Sequence, residues 1–290
     1  MSQRPPLTPI TFRTICVSDP RYEVDDLREI TVKSAALGSR ADITVHAPPA
    51  ARQGRDVPLV ILLHGVYGSH WGWVRQGGAH RMADRLQAAG DLPPCVLAMP
   101  SDGLWGDGSG YLRHHAQDFE HWIAFEVAAA VAHAVPAVTD TSPRLIAGLS
   151  MGGFGALRIA ATYPERFLAV SGHSSITNLS QMGLFVEECM DEVASPAGAR
   201  SVLDAMLRHR AHLPAIRFDC GTEDSLLQAN RELHGRLLEA GISHTYEEFP
   251  GGHTWDYWAT HLERTLRFFA AALARSCSRH APTHPAPVQQ

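Results

Sequence analysis

The chain has few cysteines for its 290 residues. Cys16, Cys95, Cys189, Cys220 and Cys277 are odd in number, widely spread and without a C-x-x-C pair. That pattern excludes a disulfide framework and a cysteine-based zinc site, and it fits a reducing compartment. No H-E-x-x-H occurs among the 17 histidines, so neither a metal nor any other cofactor is expected. The longest apolar stretch, Pro58 to Leu63, falls far short of the roughly 20 residues that span a bilayer. There is no basic block: Lys and Arg number 25 against 30 Asp and Glu, a net charge of −5, which argues against nucleic acid or an anionic membrane as partner. The opening segment MSQRPPLTPITFRT carries no apolar run of signal-peptide length, and a cytoplasmic location is expected from it. What the sequence does have is core material, with 45% apolar and 19% charged residues, a balance that excludes a disordered chain.

The ends are rich in proline, with Pro5, Pro6 and Pro9 in residues 1–9 and Pro282, Pro285 and Pro287 in residues 278–290. The expected organisation is an N-terminal extension over 1–28, one domain over 29–277 and a flexible tail over 278–290. Apolar and β-branched runs bounded by Pro, Gly or Asp predict strands near 29–34, 42–47, 58–63, 95–99, 144–148, 167–171, 215–219 and 244–249. Several, such as Leu59-Val60-Ile61-Leu62-Leu63, are apolar on both faces, as in a parallel sheet covered on both sides. Helical spacing over 80–89, 117–135, 153–162, 226–240 and 255–274 supplies the covers, giving an α/β class with a mostly parallel central sheet and helices on both faces. Residues 174–210, holding Met182, Leu184, Phe185 and Val186 and then Val202, Leu203, Met206 and Leu207, read as a small helical cover or an ordinary excursion.

The sharpest local signal is Gly148-Leu-Ser150-Met151-Gly152-Gly153, which follows the apolar strand from Arg144 and opens a helix. A G-x-S-x-G between a readable strand and a readable helix is the context of a nucleophile elbow. A serine needs a histidine to take its proton and a carboxylate to orient that histidine, and in α/β-hydrolases these follow in the order Ser, Asp, His. Asp224, at the end of Phe218-Asp-Cys-Gly-Thr-Glu-Asp, is the candidate acid, with Glu223 as runner-up and Asp219 expected to bond the turn backbone. His253, in Phe249-Pro-Gly-Gly-His-Thr-Trp, is the candidate base. The oxyanion of an acyl-transfer transition state needs two N–H donors, expected from Met151, after the nucleophile, and from Val66 in the loop Leu63-His64-Gly65-Val66-Tyr67-Gly68. His64 is expected to hold that loop in shape. Tyr67, Trp71, Trp73, Trp105 and Tyr111 fall in loops at the same sheet edge and are candidates for a substrate pocket.

With these residues in place, the chain resembles the esterase D family of α/β-hydrolases, through LLHGVYGSHWGW, GLSMGGFGAL, CGTEDSLL and GGHTWDYW, over most of residues 29–272. The resemblance implies an α/β-hydrolase fold, a Ser150, Asp224 and His253 triad, oxyanion donors at Val66 and Met151, and a serine-dependent carboxylic ester hydrolase acting on small acyl or aryl esters. The group includes S-formylglutathione hydrolases, feruloyl and acetylxylan esterases and mycolyltransferases. S-Formylglutathione hydrolases of the group carry an S-G-x-T-C loop where this chain reads H-G-V-Y-G. The expected partner is a small-molecule ester; a homo-oligomer is left open. An acyltransferase with the same triad, an S-formylglutathione hydrolase and a catalytically silent binding protein are the alternatives.

Overall fold

A computed structural model describes residues 10–188, 193–195 and 199–280; the expected loose ends at 1–9 and 281–290, and parts of the 174–210 stretch, lie outside the described residues. The strands are β1 (Ile15–Val17), β2 (Leu27–Lys33), β3 (Arg40–His46), β4 (Leu59–Leu63), β5 (Val96–Pro100), β6 (Arg144–Leu149), β7 (Ala169–His173), β8 (Ala215–Gly221) and β9 (Thr245–Phe249). The helices are α1 (Pro49–Arg52), α2 (Gly72–Arg75), α3 (Ala79–Ala88), α4 (Phe119–His121), α5 (Val127–Ala134), α6 (Met151–Thr162), α7 (Val202–Arg208), α8 (Leu227–Glu239) and α9 (Trp255–His280). The strands form one sheet in the order β1-β2-β3-β5-β4-β6-β7-β8-β9. From β1 to β5 neighbours pair antiparallel, and from β5 through β4 to β9 they pair parallel.

Alternation along the strands sends side chains to two cores. In β4, Leu59, Ile61 and Leu63 join the core shared with α5, α6, α7 and α8, while Val60 and Leu62 join the core shared with α3 and α9. Both sets are buried, which is why this strand reads as an unbroken apolar run.

Two expectations about the chain's organisation change. The N-terminal extension joins the domain: Ile15–Val17 pairs with Val32, Thr31 and Ile30 of β2 and completes the sheet edge. Three residues are too few to show a period of two, so the strand left no pattern to read. At the other end, α9 continues to His280, past the expected boundary at 278. The single helix expected over 117–135 is interrupted by a π-helical turn, Trp122–Glu126. That turn brings Glu126 inward, where its carboxylate accepts the Ser34 hydroxyl and, at 3.0 Å, the Ala36 N–H.

Burial of histidine makes the fold acid-sensitive. His46 on β3 and His80 on α3 are almost wholly buried, with ring centroids 6.0 Å apart, and His46 Nε2 lies 3.2 Å from Asp84 Oδ1. Desolvation pushes both below the ordinary histidine range; it outweighs the pull of Asp84 and Asp26 on His46 and of Asp25 and Asp84 on His80. The folded chain therefore binds these protons less readily than the unfolded chain. Their neutral forms favour folding fully above about pH 6.5, and the contribution is lost as pH falls below it. The melting temperature is expected to fall between pH 7.5 and 5.5, with a shallower fall in His46→Gln; a melting temperature that rises on acidification would contradict this.

Candidate active site

The parallel strands end at one sheet edge, and the loops there carry the chemistry. Ser150 follows β6 with φ 53° and ψ −119°, a strained conformation for a residue with a side chain. It is held by its N–H on the His173 carbonyl at 2.9 Å and by its own carbonyl, which accepts the Phe154 N–H at 3.1 Å. The turn is so tight that a Cβ built on Gly148 would lie 2.2 Å from the Gly152 carbonyl oxygen, and one on Gly152 would lie 2.4 Å from the Leu63 carbonyl oxygen. Gly152→Ala is therefore expected to push α6 off β4, lowering the melting temperature by several degrees and activity with it. Calorimetry and an ester assay check both effects.

Ser150 Oγ is 3.0 Å from His253 Nε2, and His253 Nδ1 is 2.9 Å from Asp224 Oδ2. The other carboxylate oxygen of Asp224 accepts the Leu226 N–H at 2.8 Å. Burial works against the charge on Asp224, but the His253 and Leu226 hydrogen bonds outweigh it and hold the carboxyl below the usual carboxylate range. An ionised Asp224 fixes the Nδ1–H tautomer of His253, leaving Nε2 free to accept from the serine. Glu223 is exposed, and its side chain is not part of this chain of bonds. Its N–H instead donates to the Gly251 carbonyl at 3.0 Å, and the Thr222 N–H donates to Phe249 at 2.8 Å, so the acid turn and the histidine loop are braced together. Asp219 does not cap its turn. Its side chain is buried with His173, Arg217 and Tyr257, whose OH donates to it at 2.8 Å, and although burial opposes it, these partners hold its pKa well below the ordinary carboxylate range.

The loop after β4 lies beside the serine: a Cβ built on Gly65 would be 3.4 Å from Ser150 Cβ. Tyr67 N–H is taken by Asp107 O at 2.8 Å and Gly68 N–H by Gly65 O at 3.2 Å, with Val66 between these anchored residues. Met151 is the first residue of α6, where the N–H has no intrahelical acceptor. His64 is buried: Nδ1 bonds the Gly65 carbonyl at 2.7 Å and Nε2 accepts the Asp102 N–H at 3.2 Å, so both nitrogens hold loops. The 106–110 loop packs on both candidate donor residues, with Gly110 N–H donating to Met151 Sδ at 3.3 Å and Gly108 close to Val66 Cγ1.

The five aromatic candidates separate. Tyr67 (66% exposed) and Trp71 (43%) are open to solvent, and Trp105 is half-buried against His114 and Phe119. Trp73 and Tyr111 correct the expectation of substrate contact: both are fully buried, with Trp73 Nε1 donating to Leu63 O at 3.0 Å and Tyr111 OH to His64 O at 3.1 Å. They support the loops from beneath, because a buried polar tip must spend its hydrogen bond on nearby backbone. Two residues that the sequence did not assign to the site flank His253 instead. Trp258 meets its ring edge-on at 4.9 Å, and Phe185 lies parallel to it at 5.4 Å. Trp258 lies in the first turn of α9, five residues after His253, and Phe185 lies in the stretch read as a small helical cover.

A strained serine between a parallel strand and a helix, with aspartate and histidine delivered from the turns after β8 and β9, defines a serine hydrolase of the α/β-hydrolase type. The chain belongs to the family described as putative esterase, whose model matches residues 34–269. It is 25% identical over 234 residues to an acetyl esterase of Caldicellulosiruptor saccharolyticus, covering 74% of this chain and 84% of that one. It is 27% identical over 260 residues to an S-formylglutathione hydrolase of Paracoccus denitrificans, covering 80% and 91%. Two further bacterial relatives are longer, and this chain spans 57% and 54% of them. Among solved structures, a ferulic acid esterase superposes with a TM-score of 0.73 at 25% identity, covering 90% of this chain and 99% of the other. The protein is a serine ester hydrolase with a mostly parallel sheet. Among the described residues, no helix is long and apolar enough to cross a membrane.

Proposed function

We propose that the protein hydrolyses small acyl and aryl carboxylic esters, with Ser150 as nucleophile, His253 as base, Asp224 as the acid that orients it, and the N–H groups of Val66 and Met151 as oxyanion donors. The observation that carries this reading is the unbroken series from Ser150 Oγ through His253 to Asp224, at 3.0 and 2.9 Å. Ser150 Oγ attacks the ester carbonyl as His253 Nε2 takes its proton. The oxyanion rests on the two amides, and His253 passes the proton to the departing alcohol. Water, deprotonated by His253, then opens the acyl-serine. Tyr67, Trp71 and Trp105 are the aromatic candidates for substrate contact, and Trp73 and Tyr111 support the loop after β4. The unpaired state of Cys16, Cys95, Cys220 and Cys277 supports a reducing, cytoplasmic setting.

A second reading, hydrolysis of S-formylglutathione, is favoured by the relative of that name. Rates on p-nitrophenyl acetate, methyl ferulate and S-formylglutathione separate the two, and product analysis with an added alcohol tests for acyl transfer. Acetate or ferulate ester turnover exceeding thioester turnover supports the ester reading; the reverse order replaces it.

A further inference from the structure

Phe185 follows the 3₁₀ turn Leu179–Leu184 in the segment between β7 and β8. Its ring is inclined only 17° to the His253 imidazole, with centroids 5.4 Å apart. Parallel rings in contact are about 3.5 Å apart, so this distance requires a sideways offset of roughly 4 Å, and Phe185 overhangs the imidazole edge rather than covering its face. Its carbonyl oxygen accepts the hydroxyl of Tyr67, the residue after Val66. Phe185 thus reaches from the loop beside the serine to the histidine.

The scissile ester must cross that same gap, with its carbonyl oxygen at the Val66 and Met151 amides and its leaving oxygen within reach of His253 Nε2. The segment above it is fastened to the 106–110 loop: Glu187 N–H donates to Asp107 Oδ2 at 2.9 Å and Asp107 N–H to Glu188 Oε1 at 3.0 Å. Leu184 (70% exposed), next to Phe185, and Tyr67 give this roof an apolar rim.

We propose that Phe185 is a specificity-determining residue for the leaving group, selecting esters of flat aromatic alcohols over aliphatic ones. The proposal deepens the ester-hydrolase reading and rests on it. In the step concerned, the bond from Ser150 Oγ to the acyl carbon forms and the bond from that carbon to the aryl oxygen breaks. The serine proton passes through His253 Nε2 to the aryl oxygen, and a phenol departs. An aromatic ring attached to that oxygen lies against the Phe185 ring, whereas a short alkyl group does not reach it.

Phenyl acetate and ethyl acetate test this directly, because both leave the same acetyl-serine and differ only in the departing alcohol. Acid release by titration gives kcat and KM for the wild type, Phe185→Leu, Phe185→Tyr and Tyr67→Phe, with circular dichroism to confirm folding. Phe185→Leu is expected to lower kcat/KM for phenyl acetate about tenfold, mainly through KM, while ethyl acetate changes less than twofold. Phe185→Tyr should restore the phenyl preference, and Tyr67→Phe, which frees the Phe185 carbonyl, should reduce it less than Phe185→Leu. Equal losses on both esters would overturn the proposal and make Phe185 a support for His253; no loss on either would overturn it too. A wild type that hydrolyses neither ester, or a Ser150→Ala variant that still hydrolyses them, would instead remove the ester reading itself.

Discussion

Ser150→Ala is expected to abolish ester hydrolysis, lowering kcat by about 10⁵ to 10⁶, while the chain folds as before. Alanine retains the Cβ that the elbow already accommodates at φ 53°, and the N–H bond to His173 O belongs to the backbone. What disappears is the oxygen 3.0 Å from His253 Nε2, and with it the acyl-enzyme. Activity on p-nitrophenyl acetate and a thermal melt check the two halves. Residual turnover above about 1% of wild type would identify another nucleophile. A thiol reagent should not reproduce the loss: burial pushes the Cys95 thiol up to about 12 and raises that of Cys220 further, leaving both unreactive near neutrality.

Asp224→Asn should be nearly as damaging. The amide matches the carboxylate in shape but removes the charge that fixes the Nδ1–H tautomer of His253, and kcat is expected to fall about 10⁴-fold. Glu223→Gln, one residue away, should cost tenfold or less, since that side chain is exposed and the residue's backbone alone braces the histidine loop. Measuring kcat for both variants on one p-nitrophenyl ester, with circular dichroism as control, decides the assignment. A silent Glu223 variant beside a near-normal Asp224 variant would reverse it.

The sheet was legible because its central strands are buried on both faces. Val60 and Leu62 face one core and Ile61 and Leu63 the other, so the sequence there is apolar without interruption. The residues of the serine, aspartate and histidine series were legible because each lies in a polar or glycine-containing turn just after a strand: Ser150 after β6, Asp224 after β8 and His253 after β9. Position in the loops was not legible. Trp73 and Trp71 are two residues apart in one aromatic-rich loop, yet one is buried beneath it and the other faces solvent, a difference set by tertiary packing. Phe185 is 68 residues before His253, and the two meet across the turns after β7 and β9, which lie on either side of β8 in the sheet. The edge strand Ile15–Val17 is too brief to show any alternation.

The segment between β7 and β8 has a consequence for how this enzyme diversifies. It leaves the sheet after His173 and returns at Ala215, while Ser150, Asp224 and His253 are carried by turns after β6, β8 and β9. The turns of Asp224 and His253 are fastened to each other, and the elbow is fastened to β7, without using that segment. Its exposed stretch, residues 183–188, can therefore vary by drift or by design as a visor with the reacting atoms left in register, whereas Ile176, Leu179, Met182 and α7 are part of the core and cannot. Libraries confined to residues 183–188 should then yield altered substrate ranges far more often than dead enzymes.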